Sequence, residues 1–360
     1  MEQKRLLSLD FMRGLIMVLL TLEAAGLYHV FNDATEGSWW HNIAIQFEHH
    51  EWNGLHFWDL IQPGFMFIAG TAMAYSLHKQ LQNGIAWTQS FRKALKRSGW
   101  LFFWGVLDYA VKRDGLAFEL WNVLTQLSFT MLVAFLIFRL SSKTQIIICV
   151  GILVLTEILY RFTHVPGFDQ PFTDQHNFGN YVDLLLMNKI NDDGWVAINC
   201  IPTAVHTIAG ALAGKLSQHA HKTKQLLIWG AICLVIGLGL DWLHITPIIK
   251  RIATTSFTLA SLGWCLLGLA ACYWWIDIRN HRRYLLFFTV IGMNSIFIYL
   301  FFGIVGSRWF NDYIGALSNG LMSMANFPQL LMDILTCLVI FALEWGLCYF
   351  LYKKKIFFKL

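Results

Sequence analysis

The chain has 360 residues, of which 56% are hydrophobic and only 14% charged, where soluble domains carry roughly a quarter. Its net charge of +5 is scattered over short segments, so a nucleic-acid-binding surface is not expected. Seven Cys with no CxxC pairing exclude a disulfide framework and read as small apolar packing residues.

The missing charge points to solvation by lipid, because a hydrocarbon core about 30 Å thick needs roughly 20 apolar residues per crossing. The expected fold is all-α, a polytopic transmembrane bundle of about ten helices in one domain over 1–360. In chain order the apolar runs predict helices near 11–31, 57–78, 97–111, 120–138, 144–161, 196–214, 225–243, 255–276, 285–304 and 329–352. The first run resembles a secretory signal, with Lys4 and Arg5 ahead of an apolar stretch and Ala24-Ala25-Gly26 behind it. Apolar character resumes through 27–31 and Glu23 interrupts the run, which favours a retained helix.

Most of the 16 Trp sit at run ends, where an indole suits the headgroup level. Counting Lys and Arg on alternate sides places 20 of the 27 with the two termini and 7 opposite. That asymmetry predicts both termini in the cytoplasm of a bacterial inner membrane. Two outer loops are long. Residues 32–56 lack Lys and Arg but hold Asp33, Glu36, Glu48, Glu51 and four His, and residues 162–195 hold Asp169, Asp174, His176, Asp183, Asp192 and Asp193. Loops of this length are often functional. No internal repeat is visible.

The densest chemistry lies where the first outer loop enters the second helix: Glu48-His49-His50-Glu51-Trp52-Asn53-Gly54, then Trp58-Asp59 and Pro63. Imidazole suits proton transfer near neutral pH, and a neighbouring carboxylate can orient it. A solvated polar loop with satisfied histidines is the plainer alternative. No metal is expected, since the His and Glu show no HExxH-type spacing.

Ionisable groups within apolar runs are functional candidates by default. Glu23 lies about two-thirds through the first helix, and Asp59 near the outer end of the second. Asp10 and Arg13 share a helical face and form either a local ion pair or a ligand contact. Lys250-Arg251 breaks the positive-inside pattern, as an exposed interfacial pair or as an anion contact. Asn294-Ser295 offers uncharged hydrogen bonding inside the ninth run, with helix–helix contact as its ordinary use.

At these residues the chain resembles the transmembrane acyltransferase family of heparan-α-glucosaminide N-acetyltransferase and its bacterial relatives. Arg5-Leu6-Leu7-Ser8-Leu9-Asp10 with Arg13-Gly14 is similar to its opening signature. His49-His50-Glu51-Trp52-Asn53-Gly54-Leu55, then Asp59-Leu60, Pro63 and Phe65-Met66-Phe67-Ile68-Ala69-Gly70, resembles its most specific motif. Thr255-Ser256-Phe257 and Gly292-Met293-Asn294-Ser295-Ile296 with Tyr299 resemble two further blocks.

The resemblance implies acetyl transfer from cytosolic acetyl-CoA to an amino sugar or glycan acceptor, in contact with membrane lipid, and leaves room for a homodimer. It makes His49 the general base or an acetyl carrier, with Glu23 and Asp59 as catalytic partners. It puts His50, Trp52, Asn53, Asn294 and Ser295 towards the acceptor, and Asp10, Arg13, Lys250 and Ser256 towards acetyl-CoA. One departure is Ala24, beside Glu23, where relatives carry an asparagine. O-acyl transfer to envelope polysaccharide, transport of a small polar solute, and a non-catalytic structural role are the competing classes.

Overall fold

The computed structural model describes residues 6–112, 115–216 and 222–358; Lys4 and Arg5, and Arg113 and Lys359 from the count of basic residues, lie outside them. The described residues are 75% helical with almost no strand. In chain order the helices are α1 (Leu7–Ala24), α2 (Leu27–Thr35), α3 (His41–Ala44), α4 (Ile61–Gln82), α5 (Trp87–Ala110), α6 (Val123–Ile137), α7 (Ser142–Phe162) and α8 (Phe178–Met187). They continue as α9 (Cys200–Leu216), α10 (Lys222–Trp242), α11 (Thr255–Cys272), α12 (Leu285–Met293), α13 (Ser295–Phe301), α14 (Asn311–Ser323) and α15 (Gln329–Lys353). Local chemistry sets several boundaries. Asn122 and Ser141 accept the backbone N–H of Leu124 and Thr144, and Asn177 with Asn180 forms a reciprocal cap on α8. Pro63 sits in the first turn of α4, where its missing N–H costs nothing.

All ten expected runs fall on helices, but they do not all qualify as spans. Among the described residues, six helices are by length and composition apolar enough to cross a membrane: Phe57–Gln82, Ser142–Phe162, Ala197–Leu216, Thr223–Trp242, Thr255–Ile278 and Gln329–Lys353. Two bent pairs raise the number to eight. The other two runs fall short for physical reasons. The first half of α5 carries Arg92, Lys93, Lys96 and Arg97. The 15 residues of α6 reach only about 22 Å.

The fold clusters into two compact units, and the chain passes between them within the motif itself. The first comprises Met1–His49, His56–Trp58 and Cys272–Lys359. Here α1 packs on α12 through Gly14, where an added Cβ would lie 2.1 Å from the Phe288 carbonyl oxygen. Asp277 accepts the Leu7 and Ser8 N–H groups at 3.2 and 3.1 Å, placing a carboxylate on the positive end of α1. A 66° bend separates α1 from α2 at Gly26, whose φ of +87° is readily open only to glycine. A 71° bend separates α12 from the segment that begins at Ser295.

The second unit comprises His50–Leu55 and Asp59–Ala271. Its centre is the close pairing of α4 with α9, where Cβ atoms on Gly70 and Gly210 would meet the Thr207 and Phe67 carbonyl oxygens at 1.9 and 2.0 Å. Small residues allow that approach, which van der Waals packing stabilises inside lipid. Thr71 Oγ1 donates to the Gly210 carbonyl at 3.0 Å. Between α9 and α11, the His206 ring meets Ser261 Oγ at 2.9 Å.

Candidate active site

Within the first unit, the approach to His49 is fixed by aromatic packing. Tyr28 on α2 lies 4.9 Å from the Phe47 ring and 5.1 Å from the Trp58 ring, and Phe47 makes an edge contact with Phe57 at 5.6 Å. Trp58 is buried. Gln46 Oε1 accepts the Phe57 N–H at 3.2 Å, and the His56 ring lies 3.0 Å from the Glu48 carbonyl oxygen. These contacts leave His49 exposed at the end of the segment, its ring 6.5 Å from Trp58. Glu48 faces His29 at 3.3 Å. An accessible imidazole on a braced backbone can accept a proton from a bound acceptor.

Within the second unit, the rest of the motif is bound along its backbone. Asp59 Oδ2 accepts the His50 N–H at 3.3 Å, and the Ile248 carbonyl accepts the Gly54 N–H at 2.9 Å. Trp52 Nε1 donates to the Phe172 carbonyl at 2.8 Å, and the Arg251 guanidinium donates to the Glu51 carbonyl. Any Cβ at Gly54 would meet the His50 ring, which would have to shift, and the Gly54 φ of +154° is one that other residues rarely adopt. Leu55 packs on Ile248, Ala253, Phe257 and Ala260.

Lys250 differs from the exposed interfacial reading. It is 7% exposed, its Nζ lies 3.4 Å from the Oδ1 of Asp59 (1% exposed), and it stands 5.3 Å from the centre of the Trp195 ring. A buried pair of this kind holds the motif to the turn before α11. Ser256, expected towards acetyl-CoA, donates its hydroxyl to the Pro247 carbonyl at 2.6 Å and shapes that same turn. Asp59 is therefore a positioning group for the His50 backbone as well as a charge.

Of the remaining expected site residues, Asn53 belongs to the second unit and the others to the first. Asp10 and Arg13 form the local ion pair at 3.1 Å on α1. Glu23 occupies the last turn of α1, its carbonyl accepting the Gly26 N–H at 2.7 Å. Asn294 marks the α12–α13 break. Its amide donates to the Ile356 carbonyl at 3.2 Å and accepts the Phe358 N–H at 3.1 Å, tying down the last described residues. Asn311, the first residue of α14, donates its amide N–H to the Ala24 carbonyl at 2.8 Å. Ser295 begins α13.

One buried acid escaped the sequence reading, and a second was noted there only as one of the acids of the second outer loop. Glu344 on α15 is 1% exposed, and neither carboxylate oxygen accepts a hydrogen bond from the protein. Its signal was a lone acid in a long apolar run. Asp183 on α8 is fully buried and accepts the Trp121 indole N–H at 2.9 Å and the Ala197 N–H at 2.8 Å. Burial nevertheless pushes its carboxyl up to about 7, against the opposing pull of those two donors. Its folded value exceeds its unfolded one, so the stability it contributes is full below about 3.8 and is lost as pH rises through about 7. Denaturant titrations between pH 4.5 and 8 should show stability falling by up to roughly 1.4 kcal/mol per pH unit relative to an Asp183→Asn variant. Parallel profiles for the two proteins would refute this. Among the described residues, no group of three or more His, Cys, Asp or Glu converges as a metal site.

The comparisons with known proteins converge on one family. The family model for heparan-alpha-glucosaminide N-acetyltransferase, catalytic, matches residues 5–232, a stretch that includes the whole 49–59 motif. The human and mouse proteins named heparan-alpha-glucosaminide N-acetyltransferase are 24% and 25% identical across 99% of this chain. The chain spans about 60% of the length of these curated relatives. With the family model covering well over half the sequence, the chain belongs to the heparan-alpha-glucosaminide N-acetyltransferase catalytic family.

Proposed function

We propose that the protein is a multi-pass membrane acetyltransferase of one catalytic domain, with both termini in the cytoplasm of a bacterial inner membrane. It moves an acetyl group from cytosolic acetyl-CoA to the amine of a glucosamine-type sugar. The observation that carries this reading is the family match over the segment containing His49, an exposed imidazole at the end of a braced loop.

In the reaction, the acceptor nitrogen attacks the thioester carbonyl carbon and forms a C–N bond. The C–S bond breaks, and the electron pair leaves on the CoA thiolate. Neutral His49 takes the proton released from the nitrogen. Asp59 acts one residue away, fixing the backbone of His50 and thereby the direction of the loop. Of the residues expected to meet acetyl-CoA, Arg13 keeps a side chain 29% exposed and oriented by Asp10, so it remains a proposed anion contact. Lys250 and Ser256 shape the motif from behind.

A CoA-release assay on purified protein tests the reading, with glucosamine and a sugar bearing only hydroxyls offered separately. Thiol release with the amine alone is expected. Release with the hydroxyl sugar alone would redirect the reading to O-acyl transfer, and release with neither would overturn it.

A further inference from the structure

The proposed reaction makes no use of Glu344, yet its position is expensive. It stands 15 residues after the first residue of α15 and 9 before the last, roughly 22 and 14 Å along the helix axis. That helix is long and apolar enough to be a full crossing. An acid at such depth is costly and takes a counter-charge or an ion. Glu344 is 1% exposed, and among the described residues no group donates a hydrogen bond to either carboxylate oxygen. Arg308, the basic residue of the nearby 302–310 segment, is exposed and does not donate to it.

A third oxygen faces the same place, also within the first unit. Asn311 opens α14, and its backbone N–H donates to the Gly306 carbonyl. Its side-chain amide donates to the Ala24 carbonyl at 2.8 Å. A carbonyl can only accept, so Nδ2 must face Ala24 and Oδ1 must face away from it. Oδ1 is buried and likewise receives no hydrogen bond from the described residues. A Cβ on Gly306 would lie 3.2 Å from Glu344 Oε1 and 3.4 Å from Asn311 Oδ1, so both oxygens border one point. Gly306 itself lies in a π-helix, Phe302–Phe310, between α13 and α14. Such wide turns recur at functional sites.

Three buried acceptors without a donor call for positive charge. A proton shared between two of the oxygens leaves the third unsatisfied. A metal cation can take all three, because carboxylates ligate hard cations through one or both oxygens and amide carbonyls ligate them too. The charge of the ion follows from the single carboxylate. A monovalent ion makes the site neutral, whereas a divalent one leaves a net charge away from water. This all-oxygen set is unlike the His- and Cys-containing sites that bind transition metals.

We infer that Glu344 and Asn311 bind one monovalent metal cation beside Gly306, joining α14 and α15 to the end of α1.

The test uses the full chain in phosphatidylcholine nanodiscs, with NaCl or KCl exchanged for choline chloride at fixed ionic strength. Choline carries the same charge but is too bulky for three converging oxygens. The Tm of wild type should rise by about 2–4 °C and then saturate as the metal salt replaces choline. Glu344→Gln should lose that response. Its fold is protected, because the new amide can donate to Asn311 Oδ1. Gly306→Ala keeps both ligating side chains and puts a methyl group where the oxygens converge, so its half-saturating salt concentration should rise roughly tenfold. Asp333→Asn, which alters an acid nearer the start of α15, is the control and should respond as wild type does.

A wild type with one Tm in all three salts overturns the inference, and so does a response that survives in Glu344→Gln. A salt-insensitive wild type whose infrared spectrum carries a protonated-carboxyl C=O band, absent from Glu344→Gln, overturns it in favour of a proton. None of these readings requires acetyl transfer, so the inference stands or falls apart from the proposed reaction.

Discussion

Replacing His49 with alanine is expected to lower acetyl transfer by roughly 10²- to 10⁴-fold, the usual contribution of a positioned general base. The fold should not suffer. The imidazole is exposed, and the aromatic contacts that brace its segment belong to Tyr28, Phe47, Phe57 and Trp58. Stability should therefore stay within about 0.5 kcal/mol of wild type, as at other surface positions. Affinity for acetyl-CoA should also hold, since proton removal from the acceptor does not contribute to donor binding. The informative measurement is single-turnover transfer alongside equilibrium binding of the donor. Transfer within a few-fold of wild type would remove His49 from the mechanism. A parallel loss of donor binding would make it a binding residue instead.

Breaking the Asp59–Lys250 pair should produce the largest change in stability. Both side chains are nearly inaccessible and lie 3.4 Å apart. Lys250→Met leaves the Asp59 carboxylate buried and stripped of its cation, a loss of about 3–5 kcal/mol. Asp59→Asn leaves the ammonium against Trp195 and removes an acceptor charge from the His50 N–H. The double variant removes both charges and should recover most of the loss, because well-packed neutral groups often replace a buried pair at little cost. A thermodynamic cycle on detergent-solubilised protein reads this as a coupling energy. Additive single effects would show that the two charges do not depend on each other. Activity carries separate information, because a neutral double variant that folds but transfers slowly would assign the pair to orienting the motif.

The membrane character and the positions of ten helical runs were legible in the residue order, because long apolar stretches have few other ways to be solvated. The motif at 49–54 was equally legible, as was the Asp10–Arg13 pair, whose partners are one helical turn apart. The number of full crossings was not. A bend at Gly26, another at Asn294, and the cationic start of α5 depend on backbone direction and on where charge ends, which a hydropathy count averages away.

Partners distant in sequence belonged to the tertiary structure alone. Lys250 read as an exposed interfacial cation or an anion contact until the turn before α11 placed it on Asp59. Asn294 offered a generic amide until the chain end returned to bond it. Sequence thus determined which segments leave water, since transfer free energy is a local sum over side chains. Packing decided which polar groups meet, since a buried charge or amide takes its partner from whichever element lies beside it.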